Sequence, residues 1–346
     1  MSNNFKSNIA ARPWIENTQP KRILAIRLQA MGDTVITLPY LNALRNALPE
    51  EAQLDFLTRK EVASIPKSLV LFNHIYLIGG KRNFYKQCIS ALFILPRLIF
   101  RRYDVVLDLQ NNLISRSIRR ILCVKSWSEF DKYSPVSAGE RTRRTIEAAG
   151  FKTFVDASFR FKKGDSEEDK LLRACGWDGE SKLVILNPAA AFYTRNWSID
   201  NYVSFANLWT REFPHTQFIA MGTNFIKEKA QYLKENLGER LLYMVDSTSA
   251  AQGFRIIQRI WFMLSEDSGL MHMSWVSDRP TVALLGNTRS DWVTPPTKRA
   301  LVFNCNEAGV KSTPKDSVKY NKGCLSICYQ PEFIFEQVKE FIARIE

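Results

Sequence analysis

"IRLQAMGDTVITLPYL", residues 26–41, decides the fold. It opens in the apolar pattern of a β-strand and closes in helical spacing, with Gly32 and Asp33 at the turn between them. A strand running straight into a helix is the repeating unit of open parallel sheets, whose ligands dock at such turns. Outward from it the alternation continues. "QLDFLTR" (53–59), "HIYLIG" (74–79) and "YDVVLDLQ" (103–110) read as strands, and "ERTRRTIEAAGF" (140–151) reads as a helix ending at Gly150. A polar stretch with a short helix, residues 161–182, reads as the end of one domain and the linker to the next.

The pattern restarts at "LVILNPA" (183–189). A helix in "WSIDNYVSFANLWTREF" (197–213), a strand in "TQFIAMG" (216–222) and a helix in "KEKAQYLKENLG" (227–238) follow. Then "WFMLSED" (261–267), "SGLMHMSWVS" (268–277) and "PTVALLGN" (280–287) read as strand, helix and strand. The fold class is therefore α/β, with two successive Rossmann-like units of parallel sheet and a cleft expected between them. The expected division is a flexible lead-in over residues 1–20, a first domain over 21–175, a second over 176–330 and a C-terminal helix over 331–346. In that helix Phe333, Phe335, Val338, Phe341 and Ile342 recur at helical spacing and predict one packed face.

The chain has 346 residues and a net charge of +13. Residues 1–175 carry 29 Lys and Arg against 17 Asp and Glu, whereas residues 176–346 carry 19 against 18. A one-sided positive field concentrates an anionic partner near the first domain. The six cysteines are scattered apart from Cys324 and Cys328, a pattern that suits a reducing compartment and supplies no complete zinc site. The first residues lack the apolar core of a signal peptide, which points to the cytoplasm. The most apolar stretch, "CISALFILPRLIF" (88–100), is too short to span a bilayer and contains Pro96 and Arg97. With Lys81, Arg82, Lys86, Arg101 and Arg102 around it, it reads either as a helix packed on the sheet or as a peripheral contact with an anionic membrane.

Three turns carry residues fit for chemistry. Asp33, at the expected N-cap position, reads either as a helix cap or as a carboxylate placed to take a proton from an incoming hydroxyl. Gly32 stands alone, so the glycine fingerprint of a dinucleotide site is missing. In "SEDSGLMH" the turn after the strand would offer N–H groups to a diphosphate and Asp267 to sugar hydroxyls, or would simply cap a helix. In "NPAAAFYTRNW" Arg195 could pair with phosphate oxygens. His272 has no Ser, Cys or His partner in the sequence that would make a hydrolase triad. Arg116, Arg119, Arg120 and Arg141, with Asp108 and Gln110 at a strand end, are the candidates for an anionic acceptor, the alternative being a solvated basic face.

Together "RLQAMGDTVITLPYLNALRNALP", "VVLDLQ", "NPAAAFYTRNW" and "SEDSGLMHMSWVSDRPTVALLGNT" resemble glycosyltransferase family 9, the ADP-heptose:lipopolysaccharide heptosyltransferases, in family order and spacing from about Arg22 to the C-terminus. The resemblance implies the GT-B architecture, no metal or other cofactor, a lipid-linked acceptor in the first domain and a nucleotide-sugar donor in the second. It implies that Asp33 is the general base of an inverting displacement. It places Thr194, Arg195, Asp267, Ser268, Gly269, Leu270 and Asn224 at the donor, and Arg116, Arg120, Arg141 and Gln110 at the acceptor. Arg195 stands where the family usually has Lys, Ala190 and Ala191 where some members carry hydroxyls, and Asn224 where some carry an acid. The implied activity is heptose transfer to a lipopolysaccharide core at the cytoplasmic side of the inner membrane. Its rivals are a non-catalytic sugar-nucleotide or glycolipid-binding protein, a nucleic-acid binder and a Rossmann oxidoreductase. The second lacks a recognised nucleic-acid module and the third the glycine fingerprint.

Overall fold

The computed structural model describes residues 9–162, 168–190, 196–286, 288–305 and 324–346, without the side chains of Cys324 and Ile327. The chain divides into two compact units, Met1–Lys162 and Lys163–Glu346.

The first unit is built on a six-stranded sheet of β1 (Ala11–Arg12), β2 (Arg22–Ile26), β3 (Gln53–Arg59), β4 (Ile75–Ile78), β5 (Val105–Asp108) and β6 (Ser126–Glu129), in the order β1-β6-β5-β2-β3-β4. All neighbours pair in parallel except β1, which runs antiparallel to β6. Apolar residues on both faces of β2 and β5 are fully buried, as helices covering both sides of a parallel sheet require. The second unit repeats the plan with β7 (Lys182–Asn187), β8 (Thr216–Gly222), β9 (Leu241–Val245), β10 (Phe262–Glu266), β11 (Thr281–Leu285) and β12 (Ala300–Asn304), in the order β12-β11-β10-β7-β8-β9. Its core gathers Trp197, Tyr202, Phe205, Trp209, Phe218 and Phe262.

In each unit the first parallel strand lies in the middle of the sheet, and the chain builds outward to one side and then to the other. The strand order therefore reverses between β2 and β5 in the first unit and between β7 and β10 in the second. At such switch points the loops leave in opposite directions and open a crevice beyond the strands' carboxyl ends.

Three expectations are adjusted. The division falls after Lys162 rather than Cys175, because helix Glu168–Ala174 is held to helix Ala250–Ile257 by Glu168–Arg255 at 3.4 Å and by an Asp169–Arg259 pair. The lead-in is tied down from residue 11, where Ala11 pairs with Ser128, and the Trp14 N–H donates to the Ala149 carbonyl at 2.9 Å. In helix Pro331–Ile345 the buried stripe is Ile334, Phe335, Val338, Phe341 and Ile342, while Phe333, about 100° round from Ile334, is 50% exposed.

Candidate active site

At the first switch point β2 ends in Ile26, beside Asp108 of β5. The chain then turns through Ala30, with φ 37° and ψ 154°, into helix Met31–Ala47. Ala30 is the N-cap and contributes no capping side chain, so Asp33 lies within the first turn rather than at the cap. Its carboxylate faces backward. Oδ1 meets Nη2 of Arg27 at 2.9 Å, and 39% of the Asp33 side chain stays exposed against 6% for Arg27. Asp33 is thus held on one side and open on the other, the arrangement a proton acceptor needs.

Arg27 is the residue that sequence reading missed. It reaches across the switch point, donating from Nη1 to the Leu109 carbonyl after β5, and its guanidinium lies 4.7 Å from the Phe130 ring centroid. Burial pulls its pKa below the ordinary arginine value, and Asp33 and Asp108 push the other way. Gln110 closes the same gap: its Oε1 accepts from the N–H groups of Leu28 at 3.0 Å and Gln29 at 2.9 Å. That amide oxygen shapes the turn beneath Asp33. Asp108, fully buried, accepts from the N–H groups of Gln110 and Asn111, and burial raises its pKa.

Among the expected acceptor residues, Arg141 comes to this cluster. Its guanidinium stands 5.3 Å from the Phe130 ring centroid, donates to the Lys132 carbonyl at 2.9 Å and feels the charges of Arg27 and Asp33. Arg116 donates to Oδ1 of Asn111 at 2.8 Å and borders a hollow of about 200 Å³ with Phe130, Asp131 and Tyr133. Arg119 is buried on Glu129 and over the Trp127 ring, whereas Arg120 is exposed.

At the second switch point Ser268 caps helix Gly269–Val276, its Oγ accepting from the Met271 N–H at 3.3 Å. Asn187, at the end of β7, donates to Ser265 Oγ at 2.7 Å and to Ser268 Oγ at 2.6 Å, which fixes the turn against the neighbouring strand. Asp267 accepts from Thr288 Oγ1 at 2.7 Å and is half-buried, while the first helical residues, Gly269 and Leu270, are also partly accessible. His272 sits edge-on to Trp275 at 5.5 Å.

The neighbouring Glu266 was passed over, yet it organises this end of the unit. Fully buried, it accepts the Ala190 N–H on Oε2 at 2.8 Å and the Trp197 N–H on Oε1 at 2.6 Å. One carboxyl therefore anchors both ends of the segment that includes Thr194 and Arg195, two donor candidates that lie outside the described residues. Burial pushes its pKa up to about 7, against the opposing pull of Lys229 and of the two N–H groups. The signal was present in the sequence: a carboxylate ending the otherwise apolar strand "FMLSE" demands a buried partner. Asn224 begins a single 3-10 turn beyond β8. Its backbone N–H donates to Asp246 Oδ1 at 2.9 Å, and its side chain is exposed.

Each switch point thus carries an accessible acid beside the first turn of a helix, supported by buried polar contacts across the two central strands. The fold is shared by known proteins. The chain is 22% identical to "Lipopolysaccharide heptosyltransferase 1" of Campylobacter coli, over 92% of this chain and 98% of that relative. A family 9 glycosyltransferase structure from Veillonella parvula superposes with a TM-score of 0.76 at 15% identity, covering 94% of this chain and 97% of the other. The E. coli heptosyltransferase WaaC with ADP-2-deoxy-2-fluoro heptose gives a TM-score of 0.66 at 18% identity, over 92% and 99%. The sequence model of glycosyltransferase family 9 (heptosyltransferase) matches residues 95–322, about two thirds of the length, and the chain belongs to that family of glycosyltransferases.

Proposed function

We propose that this glycosyltransferase moves a heptose from ADP-heptose to a hydroxyl of a lipopolysaccharide core acceptor, with inversion and without a metal. The observation that carries the reading is the Asp33 carboxylate, fixed by Arg27 at the mouth of the first sheet and open to solvent on its other side. Asp33 takes the proton of the acceptor hydroxyl while that oxygen forms the new bond to the anomeric carbon. The bond from that carbon to the diphosphate breaks, and the leaving group departs as the nucleoside diphosphate. Arg195 and the N-terminus of helix Gly269–Val276 are assigned to the charge that grows on it. Asp267 is assigned to the donor sugar and Arg141 to the anionic acceptor, which is lipid-borne and is met at the cytoplasmic membrane face.

General-base assistance contributes about 10²- to 10⁴-fold. Asp33→Asn is therefore expected to lose turnover by that order while binding ADP-heptose as the unchanged protein does. Single-turnover kinetics beside calorimetric donor titration in metal-free buffer measures both, and undiminished turnover would remove Asp33 from the chemistry.

A further inference from the structure

Helix Phe84–Phe100 is apolar on two faces. Ala91, Ile94 and Leu98 are buried against the sheet, as expected of a helix covering one side of it. The opposite face has no such cover among the described residues: Tyr85 is 78% exposed, Leu92 67%, Phe93 81% and Phe100 85%, and Ile89 and Ile99 are about half exposed. At about 100° per residue these six positions fall in one stripe roughly 120° wide along a helix of about 25 Å. Lys86 and Arg97, both exposed, fall along one border of that stripe, and Lys81, Arg82 and Arg102 stand exposed at its two ends. Between Glu61 and Asp104 the chain carries seven Lys and Arg and no Asp or Glu. Beside the stripe, an apolar groove of about 360 Å³ runs between this helix and helix Leu113–Leu122, lined by Leu92, Leu95, Leu113, Ile118 and Ile121.

We propose that this face seats the protein on an anionic lipid bilayer, with the aromatic and aliphatic stripe lying in the interface, lipid phosphates on the bordering Lys and Arg, and the groove open to an acyl chain. Charge selects the occupant. A second protein would have to bring acids to match the basic border and both ends of the stripe, whereas an anionic leaflet offers them everywhere. Among the described residues no helix is long and apolar enough to cross a membrane, so the seat is interfacial. The proposal deepens the reading above, in which the acceptor is lipid-borne. Its deciding readout, flotation with vesicles, needs neither acceptor nor donor, so the two can fail separately.

The full chain is floated with vesicles of phosphatidylglycerol and phosphatidylcholine, and with vesicles of phosphatidylcholine alone. Strong binding to the first and at least tenfold weaker binding to the second is expected. Leu92→Ser with Phe93→Ser should lower binding to anionic vesicles at least tenfold, and Lys86→Glu with Arg97→Glu should abolish the preference for anionic lipid. Both pairs should keep the unchanged protein's transfer rate on a delipidated, soluble acceptor. Equal flotation of the unchanged protein and both variants, or none by any of them, overturns the proposal. So does a protein that leaves vesicles untouched and dimerises through this face, with the Leu92 and Phe93 pair converting it to monomer.

Discussion

The two switch points solve one topological problem with opposite means. After β10 the turn is relaxed: Ser268 has extended backbone angles, caps its helix, and is held by Asn187 from the next strand. After β2 the turn is strained. Ala30 adopts a positive φ, no side chain caps the helix, and a buried arginine bridges to Leu109 and Asp33. The acids differ in the same way, since Glu266 is sealed in and bonded by backbone N–H groups whereas Asp33 keeps part of its surface open. Strain that surrounding contacts enforce tends to be kept where a group must be aimed rather than merely accommodated. In the proposed reaction this difference corresponds to alignment of the carboxylate at the first turn and a stable binding surface at the second.

The largest effect that would break this division concerns Glu266. With its folded pKa raised from 4.5 to about 7, mainly by burial, the folded state holds its proton more tightly than the unfolded chain does. Its contribution to stability is full below about pH 4.5 and is lost as the pH rises through about 7, a change on the order of 3 kcal/mol. Glu266→Gln cannot ionise and should show a flatter profile across that window. Urea unfolding of both proteins at a series of pH values between 4 and 8 reports the difference, and parallel profiles would sink the assignment. The amide also presents an N–H₂ where a carboxylate oxygen accepted, leaving one of the Ala190 and Trp197 N–H groups without its acceptor. Weaker donor binding should accompany the flatter profile if that anchoring serves the donor.

Arg27 comes next. Arg27→Met deprives the Leu109 carbonyl of a buried donor, at a cost of about 1–3 kcal/mol. Loss of the ion pair adds little to this, because Asp33 is partly exposed and can be hydrated instead. The sharper readout is kinetic. Without its partner Asp33 samples several orientations, and kcat should fall at least tenfold with donor affinity preserved, while Arg27→Lys, which keeps the charge without the two-armed reach, should fall between. Equal kcat values in all three proteins would make Arg27 a purely structural residue.

Much of the fold was legible because buried parallel strands write themselves as apolar runs: "RILAI", "VVLD", "LVILN" and "TVALL" need no partner to be recognised. What escaped was polar or depended on context. β6 reads "SWSE", and its burial comes from lying between β5 and β1. Phe333 shares the composition of the packed stripe but lies off its line. Asp33 and Asp267 were visible as acids following strands, yet the contacts that fix them were not: Arg27, the partner of Asp33, is itself tied across the switch point, and Thr288, the partner of Asp267, follows the neighbouring strand. Arg27 meets a carbonyl 82 residues away, and Glu266 meets N–H groups 76 and 69 residues away. Local patterns reveal where a turn is; the contacts across the switch point determine what each acid there can do.

The smallest expected effect sharpens the comparison most. Ala30 combines φ 37° with ψ 154°, a region costly for any residue with a Cβ, at about 1–3 kcal/mol. Glycine enters it freely but loses more backbone entropy on folding, by about 0.5–1 kcal/mol. Ala30→Gly should therefore leave the protein more stable by about 1 kcal/mol, read as a higher urea midpoint. If the strain serves to press the first helical turn toward Arg27, the same change should lower kcat a few-fold, because a relaxed turn no longer enforces one direction for Asp33. Higher stability with unchanged kcat would show that Arg27 and Gln110 suffice to aim the carboxylate. The strain at Ala30 would then be a by-product of entering the helix without a cap, and the contrast between the two turns would reduce to their side chains.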